Sequence, residues 1–221
     1  MRLLLISSSN VHGYGYLDQP EPEMRAFLGA GQRVAFVPFA FRDHAAYTAK
    51  IRERLGRMDL DVIPIDDLRN ADAIFVGGGN TFRLLKTLYE RDLLSPIRDR
   101  VRSGLPYLGS SAGTVIAAPT IKTTNDMPVV EPPSFDALGL VNFQLNPHYL
   151  DPDPLSTHKG ETREERIREF LEENDVPVVG LREGSILRVE DGTTTLLGTK
   201  TARIFRRGEE PLETEPGMLV I

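Results

Sequence analysis

The sequence contains no cysteine, has only four histidines and has no long hydrophobic run. Without cysteine there is no disulfide framework, thiolate nucleophile or cysteine-based zinc site, which fits a cytoplasmic protein. No apolar run approaches the ~20 residues that a membrane span requires. The first apolar segment, residues 3–6, is too short for the core of a secretory signal, so we expect a buried strand there.

Positive charge is also in deficit. Lysine and arginine number 26 against 32 aspartates and glutamates, so the net charge is −6 at pH 7. Because an acidic chain repels a phosphate backbone, we do not expect nucleic acid as a partner. A chain of 221 residues can bury a large core without metals or disulfides, and it has no linker of interdomain length, so we expect one domain over residues 1–221.

Apolar runs alternate with amphipathic stretches along the chain. Runs that predict strands buried on both faces are residues 3–6, 34–37, 62–65, 73–76 and 106–108. Helical spacing occurs over residues 45–55, 82–89 and 164–171, and Thr162 with Glu165 matches a capping box before the last of these. The alternation predicts an α/β fold with a doubly wound, mostly parallel sheet and helices on both faces.

The last third has a different pattern. Residues 186–189 and 194–197 flank Asp191-Gly192, a pairing typical of a β-hairpin. Residues 202–205 predict one more strand.

Gly109-Ser110-Ser111-Ala112-Gly113 matches the G-x-S-x-G pattern between an expected strand and a helix-like run at residues 112–118. A nucleophile on a sharp strand-to-helix turn needs small neighbours, because its backbone packs closely on the sheet. The helix N-terminus then offers N–H groups to a developing oxyanion. The alternative is a glycine-rich turn with two solvated serines.

A second glycine-rich segment, Gly77-Gly78-Gly79-Asn80-Thr81, also joins an expected strand to an expected helix. Its backbone N–H groups suit an oxyanion or substrate cradle at the carboxyl end of the sheet. Taken alone, the segment favours a tight turn in which Asn80 caps the helix.

A serine nucleophile needs a base, and His148 follows the strand-like residues 141–145. His158 lies in a polar loop, His44 begins a surface helix, and His12 lies in a glycine- and tyrosine-rich loop near which substrate could pass. All three are weaker candidates for the base.

The carboxylate that would orient the base has two candidates. Glu183 follows strand-like residues 178–181, and Asp126 is the alternative. With Glu183 the order is serine, histidine and acid, which differs from the order in α/β-hydrolases. No histidine pair has metal-ligand spacing, so we expect no metal site, although an all-carboxylate magnesium site is left open.

Together these segments resemble peptidase E, the α-aspartyl dipeptidase family of serine peptidases, over residues 1–185. The matching stretches are Leu3-Leu4-Leu5-Ile6-Ser7, Val37-Pro38-Phe39-Ala40, Gly77-Gly78-Gly79-Asn80-Thr81-Phe82, Gly109-Ser110-Ser111-Ala112-Gly113, Thr123-Thr124-Asn125-Asp126-Met127-Pro128, Phe135-Asp136-Ala137-Leu138, Asn146-Pro147-His148 and His158-Lys159-Gly160-Glu161-Thr162-Arg163-Glu164. Eight matches in the same order are far more specific than G-x-S-x-G alone.

The resemblance implies a fold like that of class I glutamine amidotransferases, with serine in place of the usual cysteine. It implies hydrolysis of dipeptides that begin with aspartate, no cofactor and, since the family is often dimeric, a homodimer. Matched position by position, the resemblance implies that Ser111 is the nucleophile, His148 the base and Glu183 the acid that orients it. It also implies that the N–H groups of Gly79 and Ala112 form the oxyanion hole. Arg163 matches the arginine that binds the substrate's aspartyl carboxylate. Asn80 and Asp126 are also expected at substrate-binding positions.

One position departs from the family pattern. Members often place tryptophan immediately before the nucleophile, where this chain has Ser110, and we expect this change to alter a wall of the site. Two other functions are compatible with the motifs: a cyanophycinase-like peptidase acting on an aspartyl–arginine polymer, and a binding module that has lost activity.

Overall fold

Each strand and helix that the sequence predicts is present, some with shifted limits, and the structure adds further elements. The computed structural model describes residues 1–152, 155, 157 and 160–221. Its strands are β1 (Arg2–Ile6), β2 (Arg33–Val37), β3 (Asp61–Pro64), β4 (Ala73–Val76), β5 (Tyr107–Ser110), β6 (Gln144–Pro147), β7 (Val178–Leu181), β8 (Ser185–Glu190), β9 (Thr193–Gly198), β10 (Ala202–Phe205), β11 (Leu212–Thr214) and β12 (Gly217–Leu219). Its helices are α1 (Glu21–Leu28), α2 (His44–Gly56), α3 (Thr81–Glu90), α4 (Leu94–Arg102), α5 (Ala112–Val115) and α6 (Arg163–Glu173), with a 3₁₀ helix at Ile65–Asn70.

The larger sheet has eight strands in the order β12-β9-β8-β1-β5-β4-β2-β3. Its half from β1 to β3 is parallel, whereas β8, β9 and β12 join it antiparallel. The predicted parallel sheet is therefore confirmed, as is the hairpin formed by β8 and β9. The carboxyl ends of parallel strands meet at one edge of the sheet, and ligands of such folds bind there.

Both faces of this sheet are covered, which explains why its strands are continuous apolar runs. In β1, Leu3 and Leu5 belong to one core cluster, and Leu4 and Ile6 to the cluster on the opposite face. Side chains of α1 and α2 pack on the second face, and those of α3, α4 and α5 on the first. This is the doubly wound arrangement predicted from the sequence.

A second sheet, which the sequence analysis did not foresee, has four strands in the order β11-β10-β7-β6. Helix α6 packs beside it through Ile167 and Leu171, which form a third core cluster with Tyr149, Val178 and Phe205. The predicted strands at residues 178–181 and 202–205 lie in this sheet. Helices α1 and α4 and strands β11 and β12 were also not predicted.

Two predicted elements differ from the structure by three residues at one end. The helix expected over residues 112–118 is the four-residue α5. It tightens into turns in which Ala117 and Ala118 donate to carbonyls three residues earlier, because the following Pro119 disfavours helical backbone before it. The strand expected at residues 141–145 is β6, which begins at Gln144. Val141 lies outside this strand, and its N–H donates to the carbonyl of Ala117.

Among the described residues, no helix combines the length and the apolar character needed to cross a bilayer.

The predicted capping box at the start of α6 is present. The Thr162 side chain accepts the N–H of Glu165 at 3.1 Å, and the Glu165 carboxylate accepts the N–H of Thr162 at 2.6 Å. These bonds satisfy two of the donors that a helix N-terminus leaves unpaired.

Replacing Thr162 with alanine should therefore destabilise the protein by about 1 kcal/mol. For a chain of this size we expect the melting temperature to fall by about 2–4 °C, which calorimetry would measure. Ser103→Ala is the control, because Ser103 is exposed and its side chain bonds to no described residue. An equal shift in both variants would mean that the box contributes nothing.

Candidate active site

Ser111 occupies a strained turn between β5 and α5. Its backbone has φ 52° and ψ −110°, a region that residues other than glycine rarely adopt. The N–H of Ser111 donates to the carbonyl of Ile6 at the end of β1, at 3.0 Å. The turn is thus held against the neighbouring strand, and the hydroxyl projects at the carboxyl edge of the sheet.

The glycines of the motif are required by close backbone packing. A Cβ at Gly109 would overlap the carbonyl of Gly113, and a Cβ at Gly113 would overlap the carbonyl of Val76 in β4. Gly78 lies against Ser111 itself, where an added Cβ would come within 3.0 Å of the serine Cβ. The G-x-S-x-G pattern therefore has the steric origin that the sequence analysis proposed.

Ser111, His148 and Glu183 form a hydrogen-bonded chain. His148 Nε2 lies 2.9 Å from Ser111 Oγ, and His148 Nδ1 lies 2.7 Å from Glu183 Oε1. The imidazole and the carboxylate are partly open to solvent, with side-chain exposures of 37% and 50%. In this geometry a histidine can remove the serine proton while the carboxylate holds its other nitrogen.

The backbone of His148 is held by Ser7, a fully buried residue directly after β1. Ser7 Oγ accepts the N–H of His148 at 3.0 Å and donates to the carbonyl of Leu181, at the end of β7, at 2.9 Å. His148 has a positive φ of 55°, so its backbone also departs from the strand. One hydroxyl therefore connects the larger sheet to the two strands that precede His148 and Glu183.

The loop that carries Glu183 is held by its neighbour Arg182. This guanidinium donates to Asp151 at 2.7 Å and to Glu213 at 2.6 Å, and it lies 5.6 Å from the centre of the Tyr149 ring. Its hydrogen bond holds the pKa of Asp151 below its ordinary value. The ion pairs leave Glu183 outside the network and free to face the imidazole.

Two backbone N–H groups beside Ser111 are available to an oxyanion. Within the described part of the chain, neither Gly79 nor Ala112 donates its N–H to a protein acceptor. Gly79 has φ 129°, and a Cβ there would come within 2.8 Å of the Ala40 carbonyl, so only glycine fits. These are the two positions predicted for the oxyanion hole.

Asn80 and Asp126 have structural hydrogen bonds at the start of α3. Asn80 Oδ1 accepts the N–H of Arg83 at 3.0 Å, and its Nδ2 donates to the carbonyl of Met127 at 2.8 Å. Asp126 Oδ2 accepts both the N–H and the hydroxyl of Thr81. Asn80 thus caps α3, as one of the two interpretations of its segment predicted. Of the two candidate acids, Glu183 contacts the imidazole and Asp126 does not.

Arg163 is the first residue of α6 and is partly buried. Burial lowers the pKa of its guanidinium, Arg166 lowers it further, and the nearby Asp126 carboxylate opposes this. It remains charged, since an arginine does not lose its proton in proteins. Among the described residues it has no hydrogen-bond or ion-pair partner. It is therefore a partly desolvated cation whose N–H groups can bind a carboxylate.

A cleft of about 450 Å³ opens beside the serine and the imidazole. Its described lining consists of Ser8, Ser9, Asn10, Tyr16, Phe41, Asp43, Ala46, Tyr47, Lys50, Gly78, Gly79, Ser111 and His148. The tyrosine hydroxyls of Tyr16 and Tyr47 lie 3.2 Å apart, and burial raises the pKa of each. The sequence analysis did not predict that these tyrosines line the cleft. The helical pattern at residues 45–55 indicates which side chains are apolar, but not what they face.

Ser110, the position at which this chain departs from the family pattern, is not among the described residues that line the cleft. It is fully buried, and its hydroxyl lies 2.6 Å from that of Ser9, which does line the cleft. Its influence on the site is therefore indirect.

The remaining histidines are not part of this geometry. His12 and His44 are exposed, with His44 at the start of α2 as predicted, and neither lines the cleft. His158 and its neighbour Lys159 lie outside the described residues. No group of three or more potential metal ligands occurs in the described part of the chain.

A serine, a histidine and a carboxylate in this arrangement, on an α/β sheet, define a site of the serine hydrolase type. The model of peptidase family S51 matches residues 3–197. Peptidase E of Streptomyces coelicolor is 59% identical over 98% of this chain and 92% of its own length. A Drosophila melanogaster protein named probable alpha-aspartyl dipeptidase is 51% identical over 92% of this chain and 89% of its own.

A solved structure of a peptidase from an acI-B1 Actinobacterium has the same fold, with a TM-score of 0.69 over 96% of this chain and 93% of its own, at 17% identity. The chain therefore belongs to peptidase family S51 and is a serine peptidase. The resemblance to the peptidase E family is confirmed.

The Ser7 bridge yields a test of how the imidazole is positioned. Ser7→Ala leaves the His148 N–H without its acceptor, so we expect the rate at which a fluorophosphonate labels Ser111 to fall at least about tenfold. The free energy of unfolding should fall by about 1–3 kcal/mol.

Ser185→Ala is the matched control. Ser185 is an equally buried serine whose hydroxyl donates to the carbonyl of Lys200, and its side chain does not touch His148. If both variants slow labelling to the same extent, Ser7 acts through stability alone.

Proposed function

We propose that this protein is a serine dipeptidase that hydrolyses dipeptides with an N-terminal aspartate through an acyl-enzyme. The observation that carries the proposal is the guanidinium of Arg163, which has no partner among the described residues and lies near Asp126, the carboxylate that binds the start of α3. The name of the Drosophila relative supports the same substrate class.

The distances suit a two-step hydrolysis. His148 would take the proton of Ser111 as its Oγ attacks the peptide carbonyl carbon. The tetrahedral intermediate would collapse with cleavage of the C–N bond, and His148 would protonate the leaving amine. Water would then attack the ester carbon, with His148 as base, to release aspartate and restore Ser111.

The negative charge that develops on the carbonyl oxygen would be held by the N–H groups of Gly79 and Ala112. Neither N–H donates to a protein acceptor in the described structure. Ala112 follows Ser111 in the chain, and Gly79 lines the same cleft as Ser111. Loss of one such donor costs on the order of 10²–10³ in rate. Glu183 would keep His148 in the tautomer that can accept the serine proton.

Recognition of an acidic substrate by an acidic protein must be local, since long-range steering is unfavourable. Arg163 suits that role because a planar guanidinium can hold a carboxylate through two hydrogen bonds. Asn80 and Asp126 would contribute by holding the start of α3, next to Gly79, in place. Their direct contact with substrate stays a prediction.

We also propose that residues 1–221 act as one peptidase domain. Ser111 follows a strand of the larger sheet, whereas His148 and Glu183 follow strands of the smaller one. Neither sheet alone holds a complete set of catalytic groups.

The role of the acid is tested by Glu183→Gln. The amide would stabilise the wrong tautomer of His148, so we expect kcat for Asp-Leu to fall about a thousandfold or more, with little change in melting temperature. Ser111→Ala defines the background rate. Asp126→Asn is the comparison, and a larger loss there than in Glu183→Gln would assign the acid to Asp126.

The substrate class is tested by Arg163→Ala with two substrates. Charge-assisted hydrogen bonds contribute roughly 1.5–3 kcal/mol, so we expect kcat/KM for Asp-Leu to fall about ten- to a hundredfold or more. The loss on Asn-Leu, whose first side chain is uncharged, should be much smaller. Steady-state kinetics that showed equal losses on both substrates would contradict recognition of the aspartyl carboxylate by Arg163.

A further inference from the structure

The cleft beside Ser111 contains a lysine, Lys50, that has no role in the hydrogen-bonded chain of Ser111, His148 and Glu183. Its walls are largely apolar, formed by Tyr16, Phe41, Ala46 and Tyr47, and its inner end is bounded by the catalytic serine and histidine. Lys50, from the same face of α2 as Tyr47 and Ala46, brings a positive charge to this apolar surface. Of the described lining residues, it is the only lysine or arginine.

The charge on Lys50 is not neutralised by a described neighbour. Its ammonium lies 3.7 Å from the centre of the Tyr16 ring and forms no ion pair with a described carboxylate. The acidic residues around it are already engaged. Glu53 pairs with Arg57, Asp18 pairs with Arg54, and Asp43 accepts the N–H of Ala46 at the start of α2.

Lys50 and Arg163 lie in different parts of the site. Neither Arg163 nor its neighbour Asp126 is among the described residues that line the cleft, whereas His148 is. The leaving amine must approach His148 to receive its proton. The residue after the scissile bond therefore suits the cleft, and the acyl residue suits the side of Arg163.

A dipeptide Asp-X carries one carboxylate on each side of the scissile bond. We propose that Lys50 binds the C-terminal carboxylate of X, while the apolar walls of the cleft contact the side chain of X. This inference rests on the proposed function and adds a second charged contact to it. In a longer peptide the carboxylate would lie about 3.5 Å further away per residue, so the contact favours dipeptides.

The test compares Asp-Leu with its C-terminal amide, Asp-Leu-NH₂, in the wild type and in Lys50→Gln. We expect the wild type to hydrolyse Asp-Leu with a kcat/KM about tenfold higher than the amide, since the ammonium is exposed and its pairing partly screened. In Lys50→Gln this preference should fall to about one. The kcat/KM for the amide should change less than about twofold, and Lys50→Arg should retain much of the preference.

Lys86→Gln is the matched control, because Lys86 is a partly exposed lysine of α3 that pairs with Glu90 and does not line the cleft. It should leave both substrates unaffected. A preference for Asp-Leu that persists in Lys50→Gln would overturn the inference, as would an equal loss on both substrates.

The two proposals fail in distinguishable ways. If the wild type hydrolyses neither Asp-Leu nor Asp-Leu-NH₂, the proposed function is wrong. If it hydrolyses Asp-Leu, and Arg163→Ala selectively impairs that reaction while Lys50→Gln does not alter the preference for the free carboxylate, only the assignment of Lys50 is wrong.

Discussion

The carboxyl end of β1 is the point on which the catalytic geometry depends. The carbonyl of Ile6 accepts the N–H of Ser111 and the hydroxyl of Thr114, which fixes the strained turn and the start of α5. The next residue, Ser7, joins the backbone of His148 to that of Leu181. The hydroxyl bonds of Thr114 to Ile6 and of Ser7 to Leu181 are buried, so water competes little for them and each is electrostatically stronger than at the surface. Two consecutive residues thus hold the backbones of both Ser111 and His148.

Charge pairing separates structural cations from those available to a ligand. Arg54 and Arg182 are mostly buried, and each donates to two carboxylates. Arg163 and Lys50 have no such partner among the described residues. In a chain with net charge −6, a cation without a described partner suits a negatively charged ligand.

Local patterns in the sequence predicted much of the fold. The buried parallel strands were visible because both faces of the sheet are covered, so each strand is apolar throughout. The capping box at Thr162 and the hairpin around Asp191-Gly192 depend on a few neighbouring residues, and both were predicted. The division into two sheets was not visible, because a short apolar strand has the same pattern whichever sheet it joins.

The sequence by itself determined which candidate residues follow which strands: a serine between glycines, a histidine after one strand and an acid after another. Resemblance to a family then narrowed the acid to Glu183. Only the tertiary structure decided that Asp126 binds Thr81 instead of the imidazole, and that Ser110 is buried against Ser9. It also decided which cations lack a partner among the described residues. Hydrogen bonds and ion pairs of this kind join residues far apart in the chain, so no local pattern specifies them.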